Sequence, residues 1–425
     1  MTAQEPAPAA PGGLGPVLAW VLERSHGASA LQLAGVIGEA ARRLGIPRTR
    51  LYLADLQQQR LLPLPQPDLT AEERDGLDVD GSLGGLAYRT QAVQSTRDGD
   101  TTWFPMVDGI ERIGVMQARA PGPHSGSAPA PGSGSGSGPG PGPGPGLLEA
   151  GRALASLATL LVVSKSTHHD PLVQGQRVRP MTLQAELLWA FLPPRTIGTD
   201  TATSSAVLEP AYDIGGDAFD HSFIDGVLHL TLVDAMGHDL ASGGASGAAL
   251  AACRATRRAG GDLPDIVATI DRTLAQWIPD RLMTAVIAEL DTTQGDFTWI
   301  NCGHPAPLLI REGHVLQNAL ERPAHLPLGF GFHAADPPEQ EHVRLQPGDR
   351  VLIYSDGITE ARSPTGDLFG EERLADTVIR STASGANAPE ALRRLVQNLL
   401  THHRHRLRDD ATILLVEWHP SPRAR

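Results

Sequence analysis

Apolar positions divide this chain into two rhythms. In the first, Leu33, Val36, Ile37, Ala40 and Leu44 recur at helical spacing, which predicts a helix over Ser29–Leu44 with Ser29 as N-cap. A short strand is expected over Thr49–Asp55. DGSLGGLAYRTQAV follows as a Gly-rich turn and short helix, then TTWFPMVDGIERIGVMQA as two strands around Asp108–Gly109. LLEAGRALASLATLLVVSKS reads as a helix with Leu154, Leu157, Leu161 and Val162 on one face. A further helix, Thr182–Leu192, carries Leu183, Leu187, Leu188 and Phe191 and stops at Pro193–Pro194.

The second rhythm starts at Ser205. Strands are expected at Val207–Ile214, Val227–Val233, Met283–Leu290, Phe297–Asn301, Leu308–Ile310, Val343–Leu345, Val351–Tyr354 and Thr412–Val416. Helices are expected at Leu240–Gly260, Leu263–Trp277 (capped by Asp262), Glu371–Ser381 and Pro389–Leu400. Strands outnumber helices and pair through short turns, so antiparallel sheets with helices layered outside are predicted instead of a βαβ alternation.

Composition adds boundaries to this picture. Residues 1–13 are Pro/Ala-rich and read as disordered. Residues 121–146 are almost wholly Gly, Pro and Ser, too polar to order themselves, and read as a flexible insertion. The 425 residues suffice for two or three domains. A net charge of -13 without a basic block argues against a nucleic-acid partner. Cys253 and Cys302 are too few for a disulfide framework. The N-terminus lacks a signal-peptide pattern, and Leu157–Val163 is the best apolar run, far short of the roughly 20 residues of a membrane helix. A cytoplasmic protein that avoids membranes is the expectation.

The candidate chemistry lies in four acidic turns, each beside an apolar run. They are EPAYDIGGDAFD with Asp217 and Asp220, VDAMGHD with Asp234, SDGITE with Asp356, and RDDATI with Asp409 and Asp410. Carboxylates gathered without matching Lys or Arg call for hard cations. Gly215–Gly216 and Gly357 would allow tight turns that aim neighbouring carboxylates into one cavity. Taken singly, each turn is also ordinary strand-end chemistry. No Gly-rich nucleotide cradle or Walker lysine is present. The His402, His403 and His405 patch reads as a solvated helix end.

In order, EPAYDIGGDAFD, VDAMGHDLAS, MTAVIAELD, NCGHPAPLLI, LPLGF, GDRVLIYSDGITEARSPTGDLFG and RDDATILLVEW resemble the PPM-type serine/threonine phosphatases. The nearest branch is the bacterial sigma-regulator and sporulation type, similar in its core to protein phosphatase 2C. The likeness runs from about Ala185 to Trp418. LGGLAYRTQ and FPMVDGIERIGVM resemble a GAF-type sensory domain. Together these imply an α+β chain, an αββα sandwich preceded by a GAF-like α/β domain. The expected layout is 1–13 disordered, 14–178 GAF-like, 179–195 a linker helix and 196–420 the phosphatase domain.

The resemblance implies two divalent cations, Mn²⁺ or Mg²⁺. Asp234 would bridge them with the carbonyl of Ala235, Asp217 would serve the second site, and Asp356 and Asp409 the first. Water activated there would hydrolyse phosphoserine or phosphothreonine on a signalling protein, an anti-sigma-factor antagonist by family likeness. Asp410, Asp220, His238, Asn301 and His304 are second-shell or substrate candidates, with structural roles for His238 and His304 equally open. The family's usual Gly-His-Gly is here Gly237–His238–Asp239, and the eukaryotic relatives' phosphate-binding arginine has no counterpart in the first motif. Two other readings stand beside this one: a non-catalytic pseudo-phosphatase that binds partners, and a sensor whose main task is a small-molecule ligand at the GAF-like domain. GAF-plus-helix architectures often dimerise, so a homodimer is an expectation by analogy.

Overall fold

The computed structural model describes residues 13–119, 144–333, 335–402, 407 and 409–420. The expected disorder over 1–12, the insertion up to residue 143, and His403 and His405 lie outside the described residues. The chain divides into two compact units, Met1–Val178 and Arg179–Arg425.

In chain order the first unit runs α1 (Leu14–His26), α2 (Ala30–Arg43), β1 (Arg48–Ala54), β2 (Arg60–Pro63), α3 (Ala71–Asp75), β3 (Leu77–Asp78), α4 (Leu83–Thr90), β4 (Gln94–Ser95), β5 (Thr101–Asp108), β6 (Glu111–Arg119), α5 (Pro145–Ser166) and α6 (Asp170–Gln174). Its sheet is antiparallel in the order β3-β2-β1-β6-β5-β4. One core joins α1, α2 and α5 to the sheet through Val21, Leu33, Ile37, Phe104, Met116 and Leu154. Tyr52, Val79, Tyr88 and Trp103 form a second cluster with the residues of α4.

Two findings here correct the sequence reading. Helix α1 was not expected, yet Val17, Val21 and Ser25 recur every fourth residue and are buried. Helix α5 is longer and more apolar than the reading of Leu157–Val163 allowed. Its 22 residues, with a mean hydropathy of 1.6 in the best window, would suffice by length and composition to cross a membrane. Here one face, Ala150, Leu154, Ala158 and Val162, is buried in the unit's core. The Lys165 ammonium donates to the Ala28 carbonyl at 2.8 Å.

The second unit comprises α7 (Leu183–Phe191), β7 (Thr196–Gly198), β8 (Ala202–Glu209), β9 (Asp217–Ile224), β10 (Val227–Ala235), α8 (Leu240–Arg258), α9 (Leu263–Trp277), β11 (Met283–Asp291), β12 (Asp296–Cys302), β13 (Leu308–Arg311), β14 (His314–Val315), β15 (Glu341–Arg344), β16 (Arg350–Tyr354), α10 (Asp356–Thr359), α11 (Gly370–Ala383), α12 (Ala388–His402) and β17 (Ala411–Trp418). The strands form two antiparallel sheets, β15-β12-β11-β10-β9 and β14-β13-β16-β17-β8-β7. Leu230 and Leu232 of the first sheet share a core with Ile353, Leu414 and Val416 of the second. Helices α8 and α9 cover the first sheet, and α11 and α12 the second. This is the αββα sandwich, and with the first unit the chain is α+β.

The acidic turns fall at element ends in this frame. The strand read as Val207–Ile214 in fact ends at Glu209, because Pro210 supplies no ladder N–H and the chain turns through Ala211–Gly216. Strand β9 was missed: its acids and histidine hide the alternation. Helix α7, read as a linker, is packed within the second unit, with Ala185 and Leu188 fully buried in its core.

Candidate functional site

The site is built around the turn that leads into β9. Asp410 Oδ2 accepts three successive amide hydrogens, from Gly215 at 2.9 Å, Gly216 at 2.6 Å and Asp217 at 3.1 Å. The backbone of the next acidic turn passes directly over this one. A Cβ on Gly216 would stand 2.5 Å from the Ala235 carbonyl oxygen, and one on Gly215 would stand 2.4 Å from the His238 carbonyl oxygen. Only glycine allows that approach. Ser246 of α8 donates its hydroxyl to the Gly216 carbonyl. From α7, the Trp189 indole N–H donates to the Ala211 carbonyl at 2.8 Å, and Tyr212 accepts the amide of Thr182 at 3.0 Å.

The ladder then sets the carboxylates. Asp217 opens β9 and is the direct partner of Asp234 near the end of β10. Thr412, the second residue of β17, donates its hydroxyl to Asp217 Oδ2 at 2.6 Å, so the carboxylate is oriented from the opposite sheet. Ser355 precedes Asp356, and its Oγ accepts the Thr412 amide at 2.9 Å. A Cβ on Gly357 would fall 1.9 Å from the Asp410 carbonyl oxygen, so this glycine lets the Asp356 turn close on the Asp409–Asp410 turn.

These groups share one electrostatic environment. Burial, then the Asp234 and Asp410 charges, holds the Asp217 carboxyl well above the usual carboxylate range. Burial, then Asp356, Asp409 and Asp410, pushes Asp234 up to about 7. Asp356 is raised by burial and by Asp409, and Asp410 is raised by burial against the pull of its three amide donors. Among the described residues none of the five forms an ion pair with Arg, Lys or His. Carboxylates left thus repel one another.

The other sequence candidates are placed elsewhere. Asp220 lies three residues along β9 from Asp217, hence on the opposite face. There it pairs with Arg254 at 2.6 Å and Arg257 at 2.7 Å of α8, so it is a structural anchor and not part of the acidic cluster. His238 sits exposed in the turn after β10. Asn301 and His304 clamp each other: Asn301 Nδ2 donates to the His304 carbonyl, and the His304 amide donates to Asn301 Oδ1, both at 2.8 Å. The His304 ring, 5% exposed, spans Thr284 Oγ1 at 2.7 Å and the Tyr354 carbonyl at 3.0 Å. The carbonyl can only accept, so Nε2 carries the proton and Nδ1 accepts from Thr284. Burial lowers its pKa to about 4.

Three residues were not found from sequence. Thr412 and Ser355 flank the acidic turns and orient them, and their adjacency to RDD and SDG was the available signal. Arg281 donates to the Met236 carbonyl at 3.1 Å and to Asp239 at 2.8 Å, tying down the turn after Asp234. Asp239, the departure from Gly-His-Gly, caps α8 through the Ser242 amide, and that bond together with Arg281 draws its pKa down to about 2.

The donor set suits a hard divalent cation: five carboxylates and the backbone carbonyl of Ala235, with no sulfur or free imidazole among them. Among the described residues no three His, Cys, Asp or Glu side chains stand as a ready metal-ligand set.

Comparison with known proteins now adds to this geometry. The family described as Stage II sporulation protein E (SpoIIE) matches residues 224–419, a segment that contains Asp234, Asp356, Asp409 and Asp410 but not Asp217. Protein IcfG of Synechocystis sp. is 28% identical over 134 residues, a match covering 31% of this chain and only 20% of that protein. The RsbU and RsbW domains of Rv1364c from Mycobacterium tuberculosis superpose with a TM-score of 0.44 at 23% identity, over 54% of this chain and 63% of that one. The SiaA-PP2C domain of Pseudomonas aeruginosa gives 0.46 at 21% identity, over 55% and 94%.

Proposed function

We propose that this chain, whose residues 224–419 match the SpoIIE family, is a PP2C-like, divalent-cation-dependent serine/threonine phosphatase acting on a phosphorylated signalling protein. The observation that carries the reading is the meeting of Asp217, Asp234, Asp356 and Asp409 from four separate turns, with Asp234 pushed up to about 7. Like charges packed this way cost stability unless a cation offsets them.

In this reading Asp234 and the Ala235 carbonyl, with Asp217, Asp356 and Asp409, would hold two Mn²⁺ or Mg²⁺ ions. Such ions lower the pKa of water beside the phosphorus and offset the charge of the phosphoryl group. The chain's own residues do the positioning. Asp410 fixes the Gly215–Asp217 turn through three amides, and Thr412 aims the Asp217 carboxylate. His304 is read as a structural residue and not as a proton donor, on the engagement of both its ring nitrogens inside the protein.

The proposed substrate is phosphoserine or phosphothreonine on an anti-sigma-factor antagonist, by resemblance to the sporulation branch. Regulation by the first unit is proposed by resemblance to GAF-type sensory domains, with α7, which packs on the Ala211–Tyr212 segment leading into the site, as the receiving element of the second unit. The test is hydrolysis of p-nitrophenyl phosphate and of a phosphoserine peptide with Mn²⁺, Mg²⁺ or EDTA, with Asp234→Asn as control. The non-catalytic alternative is a partner-binding module of the same fold. An inactive wild type that still binds a partner would establish that alternative.

A further inference from the structure

Near the turn after Asp234, the second unit holds two aromatic rings out in solvent. Phe330 and Phe332 are 44% and 57% exposed, and their rings stack 9° from parallel with centroids 5.7 Å apart. Water drives such rings inward unless the backbone beneath them is fixed. One carboxylate fixes it. Asp271 of α9, fully buried, accepts the amide hydrogens of Gly329 at 2.7 Å, Gly331 at 3.0 Å and His333 at 2.9 Å. The buried His333 ring closes the same loop on the Leu326 carbonyl at 2.9 Å. The two phenylalanines stand between these anchored amides, so the loop displays them in a set position.

That position is beside the acidic turns. Leu328 exchanges both backbone hydrogen bonds with Met283, at 2.8 and 3.0 Å, and Met283 is the ladder partner of Ala235. Leu328 therefore lies two strand spacings, about 10 Å, from Ala235. Gly329, at a φ of 108°, runs so close to Arg281 that a Cβ would stand 2.5 Å from its carbonyl oxygen. Arg281 donates to the Met236 carbonyl at 3.1 Å, and the Met236 amide donates to the Leu282 carbonyl at 3.0 Å. Met236 itself, directly after Ala235, is 60% exposed. Backbone contacts thus connect the Ala235 turn to the aromatic loop, with exposed apolar side chains at both ends. Arg281 and Asp239, between the two, offset each other's charge at 2.8 Å.

Exposed apolar surface of this kind marks a protein contact. A protein phosphatase draws binding energy from the chain on either side of its phosphoserine. Three residues of extended peptide span about 10 Å. A side chain about four residues from a phosphoserine held at Ala235 therefore reaches the rings. We propose that the Phe330–Phe332 loop docks the phosphoprotein substrate, taking an apolar side chain about four residues from the phosphoserine. This inference rests on the phosphatase reading above.

The test is kcat/KM of the full chain with Mn²⁺ on two fluorescent phosphoserine peptides. One carries leucine at the fourth residue on each side, the other serine there. Wild type should prefer the leucine peptide about fivefold, the worth of half-burying one leucine. In the double variant Phe330→Ser, Phe332→Ser the ratio should fall to about one, with each single variant between. The ratio is taken within one enzyme, so a general loss of activity does not imitate this result. No preference in wild type, or an equal preference in the double variant, overturns the proposal. Turnover of p-nitrophenyl phosphate, which has no flanking chain, tests the phosphatase reading separately. If wild type leaves that compound and both peptides intact, the phosphatase reading fails and fluorescence anisotropy of the peptides decides the docking. Tighter binding of the leucine peptide by wild type than by the double variant then supports the loop's role, and equal binding overturns it. Sedimentation velocity covers a second copy as occupant: a wild-type dimer that the double variant dissolves overturns the proposal.

Discussion

The Asp410 carboxylate accepts the amide hydrogen of Gly216 at 2.6 Å, joining the start of β17 to the turn before β9 across 194 residues of sequence. Two further amides share the same oxygen. Replacing Asp410 with alanine leaves three buried donors unpaired, each costing roughly 1–3 kcal/mol if unrelieved. Asp410→Asn keeps a carbonyl acceptor and should lose much less. Denaturant melts of the two variants should separate them clearly, and both should lose cation affinity as the turn loosens. Equal melts for Asp410→Ala and wild type would mean the turn stands without this anchor.

Gly216 and Gly244 make a matched pair. An alanine at 216 drives its Cβ into the Ala235 and Gly237 carbonyls at 2.5 and 2.6 Å, so the turn must move. Gly216→Ala should lower the melting temperature and abolish hydrolysis. At Gly244, inside α8, nothing lies within 4 Å of the Cβ. Gly244→Ala should stabilise the protein by roughly 0.5–1 kcal/mol and leave turnover alone.

The raised carboxyls set a pH dependence. Folded-state pKa values above the unfolded 3.8, about 7 for Asp234, mean the native state binds more protons than the unfolded one between these limits. That contribution to stability is fully present below about pH 4 and is lost as pH rises through about 7. Metal-free protein should therefore lose stability from this cluster between pH 5 and 8. Saturating Mg²⁺ or Mn²⁺ at pH 8 should restore it, by about 2.7 kcal/mol at a hundredfold excess over Kd. A melting temperature at pH 8 indifferent to either cation would contradict this.

Asp220 is expected to matter to folding and not to chemistry. Asp220→Asn breaks a buried ion pair with Arg257, a change that costs about 3–5 kcal/mol in comparable sites. The folded fraction should bind cations as wild type does. A titration showing selective loss of cation affinity would return Asp220 to the site.

His304 gives a similar contrast. With its pKa lowered to about 4 and both nitrogens bonded, it cannot supply an ionisation near pH 6–7. The pH–rate profile of His304→Gln, scaled for folded fraction, should keep the wild-type shape. Loss of a limb near pH 6.5 would give His304 a proton-transfer role.

What was legible in the sequence follows from range. Helix α9 shows its apolar stripe, Leu263, Ile266, Val267, Ile270 and Leu274, within its own residues, and its observed span is the one the spacing predicts. The acidic turns were visible because Gly-Gly and Asp-Gly pairs mark tight turns locally. Strand β9 was not, because Asp217, Asp220 and His221 are buried by partners on other elements: Thr412, Arg254 with Arg257, and Ser204. For the same reason Asp220 read as a candidate beside the ligands or the substrate, and strand parity puts it on the far face. Asp410 looked like one more acid, and only the fold reveals that it holds a turn almost two hundred residues earlier.

The most direct measurement is Mn²⁺-dependent release of phosphate from a phosphoserine peptide by the full chain, beside calorimetric Mn²⁺ binding to the same samples. Wild type should bind Mn²⁺ and release phosphate, and EDTA should stop both. Asp234→Asn should fall by more than about a hundredfold, beyond the 10–100-fold typical of outer-shell changes. A wild type that neither binds Mn²⁺ nor releases phosphate, or an Asp234→Asn variant as active as wild type, would contradict the account.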